Sequence, residues 1–248
     1  MPLTNKKILI TGGNSGIGQA LAAALQAKGN TVVITGRNPD TLHATLAKHP
    51  GMTGYALDVT DVNALAGFAD RVLTDQPDLD AVILNAGIME AEDYLADAVS
   101  TDVADRTIST NLIAPIHLAA AFLPHLLTRP AAALMTVSSG LAFVPRAQNP
   151  VYSATKAAIH SWTQSLRHQL RDTSVAVHEI APPLVATELT PGQSKWDAAL
   201  PLDAFITEVM DVLSQDQVPN EILVKRVLFQ RNAEREGRFD ATFAAING

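Results

Sequence analysis

Short β-branched or apolar runs recur along the chain, each followed by a longer amphipathic stretch. This alternation constrains the fold more than any other feature. The runs are KKILIT (6–11), TVVITG (31–36), TGYAL (53–57), AVILN (81–85), AALMTVS (132–138) and VAVHEI (175–180). Between the first two, IGQALAAALQAKG repeats Ile17, Leu21 and Leu25 at four-residue spacing and ends at Gly29, a residue suited to a helix C-cap. Strand–helix alternation of this kind implies right-handed βαβ crossovers and a parallel sheet with helices on both faces. AVILN and AALMTVS are almost unbroken apolar runs, as strands covered on both faces require. The expectation is a doubly wound α/β fold of six parallel strands, with seven as the alternative.

No repeat, low-complexity tract or linker divides the chain, so residues 1–248 read as one domain. With 47% hydrophobic and 17% charged residues, it can bury a sizeable core. One segment departs from the pattern: Thr187 to Gln217 follows the sixth run and holds two prolines. It reads as a lid over a site at the strand ends, with a plain helical excursion as the alternative.

The formal net charge is −7 and no Lys or Arg cluster stands out, which disfavours nucleic acid and anionic membranes as partners. The absence of cysteine excludes disulfides, thiolate metal sites and cysteine nucleophiles. The N-terminal apolar run is too short for a signal peptide, and no window approaches the roughly 20 apolar residues of a membrane span. A cytoplasmic location is expected.

Thr11-Gly12-Gly13-Asn14-Ser15-Gly16-Ile17-Gly18 follows the first strand and opens the first helix. Glycines there allow a tight turn and close approach of a pyrophosphate to the helix N-terminus. The spacing is G-x-x-x-G-x-G and not G-x-G-x-x-G, but inside a βαβ unit it points to a dinucleotide, held by Gly12, Asn14, Ser15, Gly16, Ile17 and Gly18. At the second strand end, ITGRNPD places Arg37 and Asn38 where an acid would select NAD; an arginine there suits a 2′-phosphate, so NADP(H) is preferred over NAD(H). Asp58 and Val59 can frame the adenine, and Asn85-Ala86-Gly87 offers small residues beside a ribose, although each also reads as ordinary turn chemistry.

Tyr152 stands four residues before Lys156, a spacing that alone does not separate a catalytic pair from a shared helix face. The wider set of residues decides. TGGNSGIG, DVT at 58–60, NAG at 85–87, Asn111 in STNLIAP, Ser138-Ser139 and Tyr152-x-x-x-Lys156 occur in an order and spacing that resembles the short-chain dehydrogenases/reductases, over nearly the whole chain. SSGLAFVP, PVYSATKAAIHS and EREGRFD are most similar to the DltE-type branch of that family.

The resemblance implies a catalytic tetrad of Asn111, Ser139, Tyr152 and Lys156. Ser139 is preferred to Ser138 because it lies 13 residues before Tyr152, the family spacing. A tyrosine pKa lies near 10, so the Lys156 ammonium and an oxidised nicotinamide would both favour the phenolate. Ser139 would stabilise developing charge on a substrate oxygen, and Asn111 would hold a relay water. Tyr152 and Lys156 would also touch the cofactor, as would Pro182, Val185 and Thr187.

Two departures stand out. Pro182-Pro183 replaces the Pro-Gly of many relatives, which puts the carry-over of Pro182, Val185 and Thr187 in question because Pro183 loses a donor and fixes φ. In PNEILVKRVLFQRNAEREG, Val224, Val227 and Leu228 lie at helical spacing where relatives have a seventh strand. A helix is expected there, with six strands, and a homodimer becomes preferred, with a tetramer the alternative. Met89, Leu141, Phe143, Pro145 and Trp196 are candidates for an apolar substrate pocket. His160 and His168 suggest a surface or interface helix and no metal, and the acids from Glu90 to Asp105 suggest a solvated face. The functional expectation is an NADP-dependent carbonyl reductase or alcohol dehydrogenase acting on a small molecule; the rival is a dinucleotide sensor that has lost catalysis.

Overall fold

The computed structural model describes residues 3–98 and 100–248. Its strands are β1 (Lys7–Ile10), β2 (Thr31–Gly36), β3 (Thr53–Ala56), β4 (Ala81–Leu84), β5 (Ala132–Val137), β6 (Val175–Ile180) and β7 (Glu221–Ile222). They form one parallel sheet in the order β3-β2-β1-β4-β5-β6-β7. The helices are α1 (Gly16–Ala27), α2 (Pro39–Lys48), α3 (Ala64–Asp75), α4 (Asp102–Ile108), α5 (Ala114–Leu126), α6 (Pro150–Gln169), α7 (Leu202–Leu213), α8 (Leu228–Arg231) and α9 (Phe239–Asn247).

Successive strand side chains point to opposite faces, and the apolar runs divide accordingly. Ile8, Ile10, Val32, Ile34, Ile83 and Met135 pack with α1 and α7, whereas Leu9, Val33, Val82, Leu84 and Leu134 pack with α3 and α5. Because both faces are covered, the central strands have no polar alternation. Leu21 and Leu25 carry the buried stripe of α1, and Gly29, with φ of 84°, turns the chain away from the helix end.

The chain reaches the β3 edge and then crosses back to place β4 beside β1. At this reversal the loops after β1 and β4 part above the sheet, leaving a crevice at the carboxyl ends of the strands.

The C-terminal expectation needs correction. Glu221 and Ile222 pair in parallel with Glu179 and Ile180, so the sheet has a seventh strand, and the helix expected over 219–237 is confined to the turn Lys225–Val227 and to α8. The N–H of Glu179 donates to the Asn220 carbonyl and that of Ala181 to Ile222, so β7 supplies acceptors that the β6 edge would otherwise lack. Ile222 is fully buried, but a two-residue strand gives no period to set against the helical spacing of Val224, Val227 and Leu228. The reason for preferring a dimer over a tetramer falls away with the six-strand sheet.

Helices α4 and α5 are joined by a π-helical turn, Ser109–Ile113, into a continuous run from Asp102 to Leu126. By length and composition this 25-residue run could cross a membrane; here one side of it packs on α3 and α6. The π-turn carries Asn111 inward, where it is 1% exposed.

Candidate active site

The crevice is a groove of about 460 Å³, within the roughly 300–1,000 Å³ typical of small-molecule and cofactor sites. Loops after six successive strands line it, including Gly12 to Gly18 after β1 and Pro182 to Thr187 after β6. Thr11 ties two of these loops together. Its hydroxyl accepts from the backbone N–H groups of Asn85 and Ala86 at 3.0 and 3.1 Å, and its carbonyl accepts from the Asn85 side chain at 3.0 Å. Gly12 turns at φ of 65°, and a Cβ there would sit 2.9 Å from the Ala86 Cα.

Ser15 occupies the N-cap of α1 but makes no side-chain capping bond. Among the described residues no side chain caps the first amides of α1, and Ser15, Gly16 and Ile17 line the groove there, an arrangement suited to a phosphate. Gln193 lines the same groove, donates to the Val185 carbonyl at 2.8 Å, and has a buried Oε1 with no partner among the described residues. The cramped glycine cradle, the open helix end and this orphan acceptor together fit a dinucleotide.

At the far end of the groove, Arg37 is exposed and Asp58 faces it. The Asp58 carboxyl lies below its ordinary range because the Thr60 hydroxyl and N–H both donate to it, at 2.7 and 2.9 Å, with the Arg37 charge adding to the effect. Asn38 lines the groove but its side chain caps α2, accepting from the N–H groups of Asp40 and Thr41. Asn14 donates to the Thr41 hydroxyl at 2.7 Å, so the glycine loop and the α2 N-terminus are pinned together.

Tyr152 and Lys156 occupy successive turns of α6, with Nζ 5.5 Å from the centre of the tyrosine ring. Burial pushes the phenol up to about 12, a shift the Ser139 hydroxyl opposes. Burial also brings the Lys156 ammonium down to about 8, against the attraction of Glu179. Lys156 Nζ donates to the Val137 carbonyl at 2.8 Å, at the C-terminal end of β5, and Ser139 follows two residues later. Ser139, Tyr152 and Lys156 all line the groove.

Asn111 lies behind them. Its side chain bonds both backbone groups of Ile88 at 2.9 Å and approaches the Thr155 hydroxyl at 3.3 Å, so the amide braces the β4 loop against α6. Thr110 and not Asn111 reaches the groove wall. Pro182, Pro183, Val185 and Thr187 line the groove as well. The chain beyond Pro183 is steadied by a bridge between Val185 and Leu200, and the Pro182 carbonyl accepts from Gly140 at 2.8 Å.

The apolar candidates are not brought to this groove. Met89 is buried, and the Arg146 guanidinium stacks 5.5 Å over the Trp196 ring. Phe143 packs edge-on against His160 beneath the Arg231 guanidinium, and Leu141 gives its N–H to Ser139. His160 is half-buried, and its Nδ1 contacts the fully buried Glu179 carboxylate at 2.8 Å. The acidic stretch after β4 is likewise not wholly solvated, since Glu92 accepts from the Val151 N–H at the start of α6 and Glu90 pairs with Arg106 at 2.9 Å. Glu179 and Gln193 escaped sequence reasoning. An acid in the otherwise apolar run VAVHEI was the available signal for Glu179.

The family model described as short chain dehydrogenase matches residues 6–198. An uncharacterized oxidoreductase, DltE, of Bacillus subtilis (strain 168) is 39% identical over 251 residues, covering 100% of this chain and 98% of its own. Among solved structures, a metagenomic short-chain oxidoreductase in complex with NADP is 27% identical with a TM-score of 0.75, covering 89% of this chain and 97% of its own. The 3-ketoacyl-(acyl-carrier-protein) reductase of Brucella melitensis, complexed with NADH, is 23% identical with a TM-score of 0.77, covering 87% and 93%.

Proposed function

The chain belongs to the short-chain dehydrogenase family, and on that footing we propose that it interconverts a carbonyl compound and a secondary alcohol with NADP(H). The observation that carries this reading is the convergence of Ser139, Tyr152 and Lys156 at one end of a groove whose other end holds Arg37. A nicotinamide held along the groove supplies or takes up the hydride. Gly12 to Gly18 and the first turn of α1 would hold its pyrophosphate, and Arg37 would pair with a 2′-phosphate.

In the reducing direction Tyr152 gives its proton to the substrate oxygen. A phenol pushed up to about 12 holds that proton at neutral pH, and the Lys156 ammonium beside it stabilises the phenolate left behind. Ser139 donates to the same oxygen as charge develops. Asn111 and Thr155 hold the β4 loop and α6 in register, so the proton donor stays at a fixed place in the groove. The segment 187–217 would act as a lid over the substrate, with Thr187, Glu188, Leu189 and Gln193 already on the groove wall.

Oxidation of NADPH and NADH against a panel of ketones, aldehydes and diketones tests the reading. Turnover that Tyr152→Phe abolishes is the expected result. Tight NADPH binding with no turnover on any carbonyl would favour a dinucleotide sensor instead.

A further inference from the structure

Behind the groove lies a charged cluster that the chemistry above does not use. Glu179 is fully buried on β6. Its Oε1 accepts a short hydrogen bond from the Ser138 hydroxyl, and His160 Nδ1 lies 3.0 and 2.8 Å from its two oxygens. The β6–β7 register sets Glu221 directly beside Glu179, a like-charge neighbour that would destabilise the pair without compensation. Compensation comes from Arg231, which holds Glu221 through two bonds of 2.6 and 3.0 Å, and from Arg167, whose charge also reaches Glu179.

His160, Glu179 and Glu221 bring potential metal-ligand atoms within 4.8 Å of one another. A metal is not needed to balance them, because the Arg231 guanidinium already engages both Glu221 oxygens. Donation from His160 Nδ1 to Glu179 leaves Nε2 to accept from Gln164 at 2.7 Å.

We propose that Glu179 is a positioning residue for the Tyr152–Lys156 pair: clamped between Ser138 and His160, its carboxylate fixes the end of β5 and sets a counter-charge behind Lys156. The proposal rests on the reductase reading for its consequence in turnover, but its physical content does not require turnover. Ser138 follows Val137, whose carbonyl holds Lys156 Nζ, and precedes Ser139, so a fixed Ser138 fixes both partners of the reaction centre. Burial weakens the Lys156 ammonium and Glu179 opposes that loss. The other groups facing Glu179 or Lys156 are His160, Arg167, Glu221, Arg231 and Tyr152.

The test is titration of the Lys156 Nζ resonance by NMR in the full chain, assigned through its loss in Lys156→Arg, beside steady-state kinetics. Glu179→Gln keeps the shape and removes the charge. Its Lys156 midpoint is expected to move to lower pH, and kcat to fall about tenfold with KM within about twofold. Glu179→Asp, which restores the charge, is expected to return the midpoint towards that of the unmodified protein. An unchanged midpoint in Glu179→Gln overturns the proposal, even where melting temperature drops. If Glu179→Gln does not fold, Ser138→Ala decides: an undiminished kcat overturns the clamp, and a lower kcat at constant KM supports it. Absence of carbonyl turnover in the unmodified protein would defeat the reductase reading and leave the Lys156 midpoint to judge Glu179.

Discussion

The side-chain nitrogen of Asn85 occupies the space a Cβ on Gly18 would need, and the Gly12 carbonyl closes that space from the other side. Gly18 has ordinary helical geometry, so the restriction is one of room and not of φ. Asn85 cannot withdraw without breaking its bonds to the Thr11 and Gly12 carbonyls, at 3.0 and 3.2 Å. Gly18→Ala is therefore expected to push α1 off the glycine loop, at a cost of about 1–3 kcal/mol. Cofactor affinity, measured by calorimetry, should fall at least about tenfold; unchanged affinity would mean that the loop does not form the dinucleotide cradle.

Arg37 is exposed at the end of the groove, and its charge bears on Asp58 across it. A guanidinium paired with a 2′-phosphate makes charge-assisted bonds that NADH cannot use. Arg37→Gln is expected to weaken NADPH binding by about 10- to 100-fold and to leave NADH within about twofold. Equal losses for both cofactors would remove Arg37 as the selector.

Lys156 stands charged below about 8 and neutral above it. Carbonyl reduction needs the ammonium to stabilise the Tyr152 phenolate, so activity should be full below that value and decline as pH rises through it. The profile of kcat/KM for NADPH, which reports the free enzyme, is the measurement. In Lys156→Arg the guanidinium keeps its charge throughout, and the decline near pH 8 should vanish even where the rate is lower. Persistence of the same limb in that variant would assign it to another group.

The parts of the site legible in the sequence are those fixed by local chemistry. The glycine loop, the small residues after β4 and the Tyr152–Lys156 spacing each depend on one turn or one helix, and the groove collects them because parallel strands end on the same side. Glu179 was less accessible because its partners Ser138, His160 and Glu221 come from the end of β5, from α6 and from β7, and meet only through the β5–β6–β7 register and the packing of α6 on β6. Strand β7 is two residues long, too short for a period to stand against the helical spacing that follows. Phe143 and Trp196 show the limit of composition: both have the apolar surface of a pocket wall, but each ring is covered by an arginine brought from a distant part of the chain.

That same register makes a prediction about acid stability. The Arg231 guanidinium, by hydrogen bonding and then by charge, holds the Glu221 carboxyl below its ordinary value of 4.5. A carboxyl depressed in the folded state contributes stability that is present above its unfolded value and lost as pH falls through the folded one. The pair's contribution should thus be fully present at neutral pH and progressively smaller as pH falls below 4.5. Arg231 also covers the Phe143 ring at 4.8 Å, a contact that does not titrate in this range. Thermal melts of the unmodified protein and Arg231→Gln should therefore differ most at neutral pH, and the difference should narrow but not close near pH 3. A gap of constant width would mean that Arg231 stabilises the β7 edge by packing alone.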